Sequence, residues 1–316
     1  MKIIVILLLT SYCFAKPFKV ALGSCNEQRK VQKIWKYVDK QKPDLWIWLG
    51  DIIYGDHFLP SERVEAYNFI KNQPYYQKLI SYSDVLGIWD DHDYGYDRAD
   101  GDYKYKEESK KALFDFLGYD DPLLLSREGI YHQKYYETDA GPVQFIMLDG
   151  RSFHYKWKRQ MLGKVQWEWL ENTIKESRSD IIFISSGINV LSTFHLTLLG
   201  NEGWGGYRRE KWRLYKLLRK YPNKQFVFLS GDRHFSQVSK KRLSKGNYAY
   251  EFMISGMTHN FPFGLPNFRK EAKAITDKNF ATMTIDAKEI KLEIWHARED
   301  KKLQEYSIDI SRFSKK

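Results

Sequence analysis

Short apolar runs recur along the chain and are typical of buried strands. Between several of them, apolar residues spaced three or four positions apart predict helices. The predicted strands are 18–22, 45–49, 85–89, 131–137, 143–148, 181–184, 226–229, 248–254, 280–285, 290–295 and 306–310. The predicted helices are 31–38, a helical stretch within 61–81, 104–117, 166–174 and 211–218.

This order of elements predicts an α/β fold. Strands that alternate with helices indicate a sheet covered by helices, and the strand-rich C-terminal part predicts a second sheet. The chain contains no internal repeat, low-complexity tract or linker rich in proline and glycine. We therefore expect a single domain over residues 16–316.

Residues 1–15 are typical of a secretory signal peptide. Lys2 supplies the positive charge, Ile3–Leu9 the apolar stretch, and Ala15 a small residue before the predicted cleavage point. The alternative is a buried first strand, since isoleucine and valine favour strands. Cleavage after Ala15 would remove Cys13 and leave Cys25 as the only cysteine of an exported chain, which we expect in the periplasm or outside the cell.

The composition excludes several classes of protein. The 316 residues include 10 Trp, 22 Tyr and 19 Phe, which rules out a largely disordered chain. Two cysteines are too few for a disulfide framework, and no apolar run reaches the ~18 residues that span a bilayer. The net charge of +11 suits an anionic partner such as a phosphate ester. No nucleic-acid-binding motif is present, and we expect a monomer.

Titratable and metal-binding residues follow several of the predicted strands. A single aspartate after a strand is an ordinary turn residue. Because sites in α/β sheets gather at the carboxyl ends of the strands, the repeated occurrence predicts one shared metal site. These residues are Cys25, Asp51, Asp91–His92, Asp149–Arg151 and Asp232–His234.

The motif Gly50-Asp51-Ile52-Ile53-Tyr54 allows two interpretations. In one, the glycine and aspartate form a tight turn and the tyrosine packs in the core, just as Cys25 could be a small buried hydrophobic residue. In the other, Asp51 bridges two cations, and Tyr54 and Cys25 bind as phenolate and thiolate. Such anionic donors favour ferric iron over magnesium.

Four short motifs stand in order at these strand ends: Gly23-Ser24-Cys25, Gly50-Asp51-x-x-Tyr54, Trp89-Asp90-Asp91-His92-Asp93 and Gly231-Asp232-Arg233-His234. Together they resemble the signature of the PhoD-like alkaline phosphatases, which belong to the calcineurin-like metallophosphoesterase superfamily. The resemblance runs from about Val20 to Asn260 and includes supporting stretches such as Leu148–Arg151 and Ser255–His259.

The resemblance implies a four-layer αββα metallophosphoesterase sandwich, in which two packed β-sheets are flanked by helices. It also implies a two-metal centre of iron and calcium in the loops at one edge. The ligands of the first metal would be Cys25, Asp51, Tyr54 and His234.

The second metal would be held by Asp51, Asp91 and Asp232, whose oxygen ligands suit calcium, with Asp90 as a second choice. The chain departs here from the general superfamily, which has histidines in the first motif and at the position of Asp232. The strand end at Ser185–Gly187 has no histidine either. The coordination of the second metal is therefore incomplete.

Two further residues are candidates for catalysis. Two cations would clamp a phosphoryl group and activate a water. His92 would act as general acid or as a donor to a phosphoryl oxygen, with Asp93 orienting its imidazole. Arg151 would either bind a phosphoryl oxygen or form a salt bridge with a nearby carboxylate. We expect Asp149 to be structural.

The remaining histidines differ in their neighbours along the chain. Three histidines stand near a predicted site loop and could bind a metal or line the mouth of the site: His57, His195 and His259. Those expected at the surface or in packing are His132, His154 and His296.

The residues and the resemblance together predict an exported phosphatase or phosphodiesterase acting on phosphate mono- or diesters. The substrate would be a small molecule, a phospholipid head group or an envelope polymer. One alternative is a phospholipase-type diesterase, because residues 191–204 are rich in apolar side chains. The other is a non-catalytic protein that binds phosphorylated polymer on the same fold.

Overall fold

The computed structural model describes residues 17–56, 59–193 and 203–313. Its strands are β1 (Phe18–Gly23), β2 (Leu45–Leu49), β3 (Asp84–Ile88), β4 (His132–Thr138), β5 (Gly141–Met147), β6 (Ile181–Ser186), β7 (Gln225–Ser230), β8 (Gln237–Ser244), β9 (Asn247–Met253), β10 (Asn279–Ile285), β11 (Glu289–His296) and β12 (Lys302–Asp309). Its α-helices are α1 (Ile34–Gln41), α2 (Pro60–Lys71), α3 (Pro74–Ile80), α4 (Asp91–Tyr94), α5 (Lys106–Leu117), α6 (Pro122–Ser126), α7 (Gly163–Lys175) and α8 (Arg208–Arg219).

The strands form two six-stranded sheets. The first has the order β12-β11-β10-β1-β2-β3, and the second has the order β4-β5-β6-β7-β9-β8. Within them, β1, β2 and β3 are parallel, as are β5, β6, β7 and β9. Parallel strands bring their carboxyl ends to one edge of a sheet, so the loops that follow them meet there.

The faces of β6 show how the layers are packed. Phe183 faces the core between the sheets, where its ring lies 4.7 Å from that of Phe145. Ile182 and Ile184 face the opposite way, onto the cluster that contains Trp167 of α7. Because both faces are buried, the strand is a continuous apolar run. Helices α1, α2, α3 and α5 pack on the first sheet, where the ring of Trp35 in α1 lies 5.1 Å from that of Trp46 in β2. The predicted four-layer sandwich is confirmed.

The expectation that the C-terminal strands form the second sheet is wrong. β8 and β9 join the second sheet beside β7, whereas β10, β11 and β12 extend the first sheet. The link is the antiparallel pair β1–β10, in which Val20 lies opposite Met283. The hydrophobic pattern reports which face of a strand is buried, and it carries no information about which edge the strand pairs with.

Three elements were not predicted, namely β8, α4 and the short helix α6. β8 is the last strand of its sheet and has the sequence QVSKKRLS, in which charged residues interrupt the apolar ones. α4 begins directly after β3, where a loop was expected. Asp90 and Asp93 cap it reciprocally, and the Asp90 amide donates to the Asp93 carboxylate at 3.0 Å.

No helix of the described residues is both long and apolar enough to cross a membrane. The predicted signal peptide, residues 1–15, lies outside the described residues, as do His57 and His195. The signal peptide therefore stays a prediction, as does the metal assignment of these two histidines.

Candidate metal centre

Loops from both sheets meet at one edge of the sandwich. The loop after β1 is joined to the loop after β2 by a hydrogen bond from the Asn26 amide to the Asp51 carbonyl, at 2.8 Å. The Ser24 carbonyl accepts from the Met257 amide at 3.1 Å, which joins it to the loop after β9. The strand ends that the sequence singled out are thus held together across the two sheets.

Four predicted ligands have a left-handed backbone conformation, with φ of 60° at Cys25, 51° at Asp51, 71° at Asp232 and 59° at His234. This conformation is uncommon for a residue other than glycine and persists only where the surroundings enforce it, at a cost of about 1–3 kcal/mol each. Seven such residues occur in the described chain, so more than half are predicted ligands. Strain concentrated in this way is typical of a functional site.

Gly50 lets the loop after β2 turn towards the loop after β3. Its φ is +87°, and a Cβ atom at this position would lie 2.6 Å from the Cβ of Asp90. Both the backbone conformation and the close approach require glycine. The turn brings Asp51 beside the end of β3.

The first group of predicted ligands is brought together. The Asp51 carboxylate lies 3.5 Å from the Cys25 sulfur and 3.1 Å from the Tyr54 hydroxyl. The same hydroxyl lies 3.1 Å from Nε2 of His234. The ligand atoms of Cys25, Asp51 and His234 are all within 4.8 Å of one another.

Burial sets the protonation of this group. It raises the pKa of the Asp51 carboxyl and of the Tyr54 phenol well above their usual values, and the neighbouring negative charges raise both further. Burial also raises the pKa of the Cys25 thiol and lowers that of His234. A neutral imidazole is the form that binds metal, and a cation would favour the anionic forms of the other three.

One atom of this group fits a cation directly. Oδ1 of Asp51 is buried and has no hydrogen-bond partner among the described residues. A carboxylate oxygen in this state is costly unless something else satisfies it. Together with the thiol, phenol and imidazole donors, it fits a metal ion of high charge.

A second group of candidate ligands shares Asp51 with the first. The ligand atoms of Asp51, Asp91 and His92 are within 4.8 Å of one another. The Asp91 carboxylate also accepts from the Arg98 amide at 2.6 Å, which fixes its orientation. Asp51 therefore stands between two sets of donors, as a bridging carboxylate must.

Asp232 lies at the border of these groups. It belongs to neither of the two compact groups found among the described residues. Its negative charge nevertheless acts on Cys25 and His234. It raises the pKa of both groups, although burial lowers the pKa of His234 overall. Its carboxylate lies 3.6 Å from the Arg233 guanidinium, so its assignment as a ligand stays a prediction.

The PhoD-like phosphatase family matches residues 20–294 of the chain. The chain belongs to this family. Members are hydrolases that act on phosphoric ester bonds, and metal cofactors go with that chemistry. The candidate donors described above fit such a cofactor. No curated protein is similar enough in sequence to match the chain.

Solved structures share the fold at low sequence identity. The structure of PhoD has a TM-score of 0.73 and 15% identity, and the match covers 94% of this chain and 70% of that one. The anchor of the inner membrane complex of Plasmodium has a TM-score of 0.62 and 11% identity, with 93% and 89% covered. A dimetal phosphatase from Danio rerio has a TM-score of 0.56 and 13% identity, with 93% and 99% covered.

In this PhoD-like chain the partner of His92 is Asp56, which the sequence analysis missed. Nδ1 of His92 lies 2.5 Å from the Asp56 carboxylate. The imidazole also lies against the Tyr54 ring, with 4.1 Å between centroids. Asp56 stands only two residues after Tyr54. An aspartate in a Tyr-Gly-Asp sequence carries no signal of a partner on another loop.

Asp93, expected to orient His92, instead holds the loop after β2. Its buried carboxylate accepts from the amides of Ile52 and Ile53 at 2.9 and 3.3 Å and from the Tyr67 hydroxyl at 3.1 Å. Its second oxygen accepts from the Asp90 amide. The expectation fails because α4 turns Asp93 towards the interior.

Asp93→Ala should destabilise the fold by about 3–5 kcal/mol, because several buried donors would lose their acceptor at ~1–3 kcal/mol each. The free energy of unfolding in urea measures this. Asp97→Ala is the matched control, since that exposed carboxylate only faces Arg98 at 3.7 Å and should change stability by less than about 0.5 kcal/mol. Equal unfolding midpoints for the two variants would contradict the assignment.

Arg151 is buried beneath the site, with 1% of its side chain exposed. Its Nε donates to the Asp90 carboxylate at 2.6 Å, and Nη2 lies 3.7 Å from Asp91. This geometry favours the salt bridge, the second of the two roles considered for Arg151. Asp149 accepts from the amides of Arg151 and Ser152 and from Nε1 of Trp89, which is the structural role expected of it.

A cavity of about 530 Å³ opens beside the candidate ligands. Its lining includes Tyr54, His92 and His234 together with Asp56 and His259. The His259 ring stacks on His234 with 4.2 Å between centroids. Away from the cavity, the packing histidines are held as expected: His132 by Tyr119 and His154 by Tyr207.

Proposed function

We propose that the chain is an exported phosphoesterase that hydrolyses phosphate mono- or diesters at a two-metal centre. The observation that carries the proposal is the position of Asp51, which is common to two groups of candidate ligands beside a cavity. The pattern of residues 1–15 supports export.

Two sets of residues are proposed to hold the metals. Thiolate and phenolate donors favour ferric iron, and carboxylate oxygens suit calcium. When bound, the cations would polarise phosphoryl oxygens and lower the pKa of a water molecule. The ligands proposed for iron are Cys25, Asp51, Tyr54 and His234. The ligands proposed for calcium are Asp51, Asp91 and Asp232.

His92 is proposed to move the proton in this reaction. Its Nδ1 is bonded to Asp56, which leaves Nε2 for the substrate in the cavity. In the doubly protonated imidazole, Nδ1–H donates to Asp56 and Nε2–H faces the substrate. The Nε2 proton then passes to the leaving-group oxygen and leaves a neutral imidazole, or it stays on Nε2 and forms a hydrogen bond to a phosphoryl oxygen. Asp56 holds the ring in place, so it is a positioning residue.

Arg151 is proposed to act through two carboxylates. Its ion pair with Asp90 and its approach to Asp91 fix the end of β3, where one of the proposed ligands stands. With 1% of its side chain exposed, it supports the site from below.

The proposed proton transfer is tested with two esters that differ in leaving group. para-Nitrophenolate leaves without a proton, whereas phenolate benefits from one. His92→Asn should therefore slow hydrolysis of methyl phenyl phosphate by about 10²–10⁴-fold and slow methyl para-nitrophenyl phosphate much less. Asp56→Asn should act in the same direction by about tenfold. Steady-state rates of the metal-loaded protein measure both.

The control is His296→Asn, whose imidazole faces the Glu299 carboxylate at 4.0 Å and which should keep the wild-type rates. If His92→Asn slows both esters equally, the histidine donates to a phosphoryl oxygen and is not the general acid. A wild-type protein that binds metal and hydrolyses neither these esters nor phosphatidylcholine would fit the phosphopolymer-binding protein. Hydrolysis of phosphatidylcholine alone would identify the phospholipase-type enzyme.

A further inference from the structure

Three cations lie near residues that line the cavity. Lys30 follows Arg29, which lines the cavity. Lys278 and Arg298 flank the end of the β10–β11 pairing, where the Ala297 amide donates to the Lys278 carbonyl at 2.7 Å. Within the described ranges, none of the three side chains forms an ion pair. This is a cluster of positive charge, in which the Glu27 carboxylate lies near Lys30 without forming an ion pair with it.

These cations are close to one another and to the site. The Asn260 side-chain amide donates to the Thr276 carbonyl at 2.8 Å, two residues before Lys278. The Thr258 hydroxyl donates to the Glu27 carbonyl at 3.3 Å, which joins the same loop to the segment that carries Lys30. Because His259 lies between these two attachments and lines the cavity, the cluster borders the same opening.

Two exposed phenylalanines stand on this rim as well. Phe261 is 41% exposed and Phe263 is 56% exposed, and their ring centroids lie 4.5 Å apart. They follow His259 by two and four residues. The Phe261 amide donates to the His234 carbonyl at 2.6 Å, so the loop is attached to the proposed ligands. Adjacent exposed aromatic rings are typical of a surface that becomes covered on binding.

We propose that this rim, formed by Lys30, Lys278, Arg298, Phe261 and Phe263, docks the protein on a bilayer that contains anionic phospholipid. The cations would contact lipid phosphates, and the rings would enter the head-group region. The net charge of +11 has the sign that such a surface attracts.

The phenylalanines favour a bilayer over a soluble phosphate polymer. A polyanion in solution would engage the cations, but it offers no apolar region in which the rings could be buried. A bilayer satisfies both features of the rim at once. Docking would place the cavity against the membrane surface. That the cavity then hydrolyses a phosphate ester held there rests on the proposed function.

The test is co-sedimentation of the full, metal-loaded chain with vesicles in the absence of an ester substrate. Vesicles of phosphatidylcholine and phosphatidylglycerol in equal parts should bind the protein, and vesicles of phosphatidylcholine alone should not. Phe261→Ser with Phe263→Ser should weaken binding by about tenfold per ring. Replacing the three cations by glutamine should weaken it by about fivefold per charge, and salt should have a similar effect.

Trp212→Ser is the control, because this tryptophan on α8 is 59% exposed and lies outside the rim. Equal vesicle binding by wild type and the double phenylalanine variant would overturn the proposal, as would binding to soluble polyphosphate without binding to vesicles. Hydrolysis of methyl para-nitrophenyl phosphate by the same samples separates the two proposals. Docking without hydrolysis contradicts only the proposed function. Hydrolysis without docking contradicts only the proposal that the rim binds a membrane.

Discussion

Asp51→Asn is expected to lower the rate of ester hydrolysis by about a thousandfold or more, because bound cations supply several kcal/mol of transition-state stabilisation. Asp51 is shared by both groups of candidate ligands, so one substitution should release both metals. Asparagine preserves the shape of the side chain but lacks the charge. Metal content and the rate of hydrolysis, measured on the same preparation, test this expectation.

The metal-free form of this variant should be more stable than metal-free wild type at neutral pH. Burial raises the pKa of Asp51 above its value in the unfolded chain, so an ionised Asp51 disfavours the folded state once the pH rises above the ordinary carboxyl range. Asparagine removes that penalty. A gain in unfolding free energy with a loss of activity would identify Asp51 as a functional residue rather than a structural one.

Asp44→Asn is the matched control, since Asp44 stands at the opposite end of β2 and accepts from the Lys19 amide at 2.9 Å. This variant should keep its metals and its activity. Retention of both metals by Asp51→Asn would show that the carboxylate does not bridge them.

Cys25→Ala is expected to remove iron from the purified protein, together with its visible absorption. The Cys25 sulfur lies 3.5 Å from the Asp51 carboxylate in the group that also holds the Tyr54 phenol. A ferric ion bound to phenolate absorbs visible light, so colour follows occupancy of this position. Tyr54→Phe should also abolish the colour, because it removes the absorbing ligand.

Iron binding should weaken as the pH falls. Burial raises the pKa of the thiol, phenol and carboxyl groups, so the metal must displace their protons to bind. Titration of iron loading against pH, with the release of protons, measures this.

The control for Cys25 is Ser179→Ala, which removes a buried side chain that bonds the Pro142 carbonyl at the opposite end of the second sheet. Iron and colour should stay. If Cys25→Ala keeps its iron as well, Cys25 is a packing residue and the donors of the first metal have been assigned to the wrong side chains.

Many strands and helices of the fold could be predicted from the pattern of apolar residues. β2 and β6 are buried on both faces, so each appears as an uninterrupted apolar run with the predicted position. Edge strands gave a weaker signal, and β8 was missed because Lys240, Lys241 and Arg242 interrupt its apolar residues. Sheet membership could not be predicted, since pairing is made by backbone groups that every residue has.

Part of the candidate site could likewise be predicted from the sequence, and part of it could not. Cys25, Asp51 and His234 could be proposed as candidates because ligand chemistry and position at a strand end are both local properties of the sequence. The pairing of His92 with Asp56 and of Arg151 with Asp90 was not predicted. Each joins side chains on different loops, and their directions depend on the backbone conformation of those loops.

The sequence by itself therefore determined which chemical groups stand at the carboxyl ends of the strands, because residue type and strand pattern are local. Only the tertiary structure decided which groups meet, which are exposed and which are enclosed. The left-handed turns at Cys25 and Asp51 direct two loops inward, and the short helix after β3 turns Asp93 away from His92. These directions follow from contacts between segments that are distant in the sequence. Contacts of that kind produce no periodic pattern of residue types from which they could be predicted.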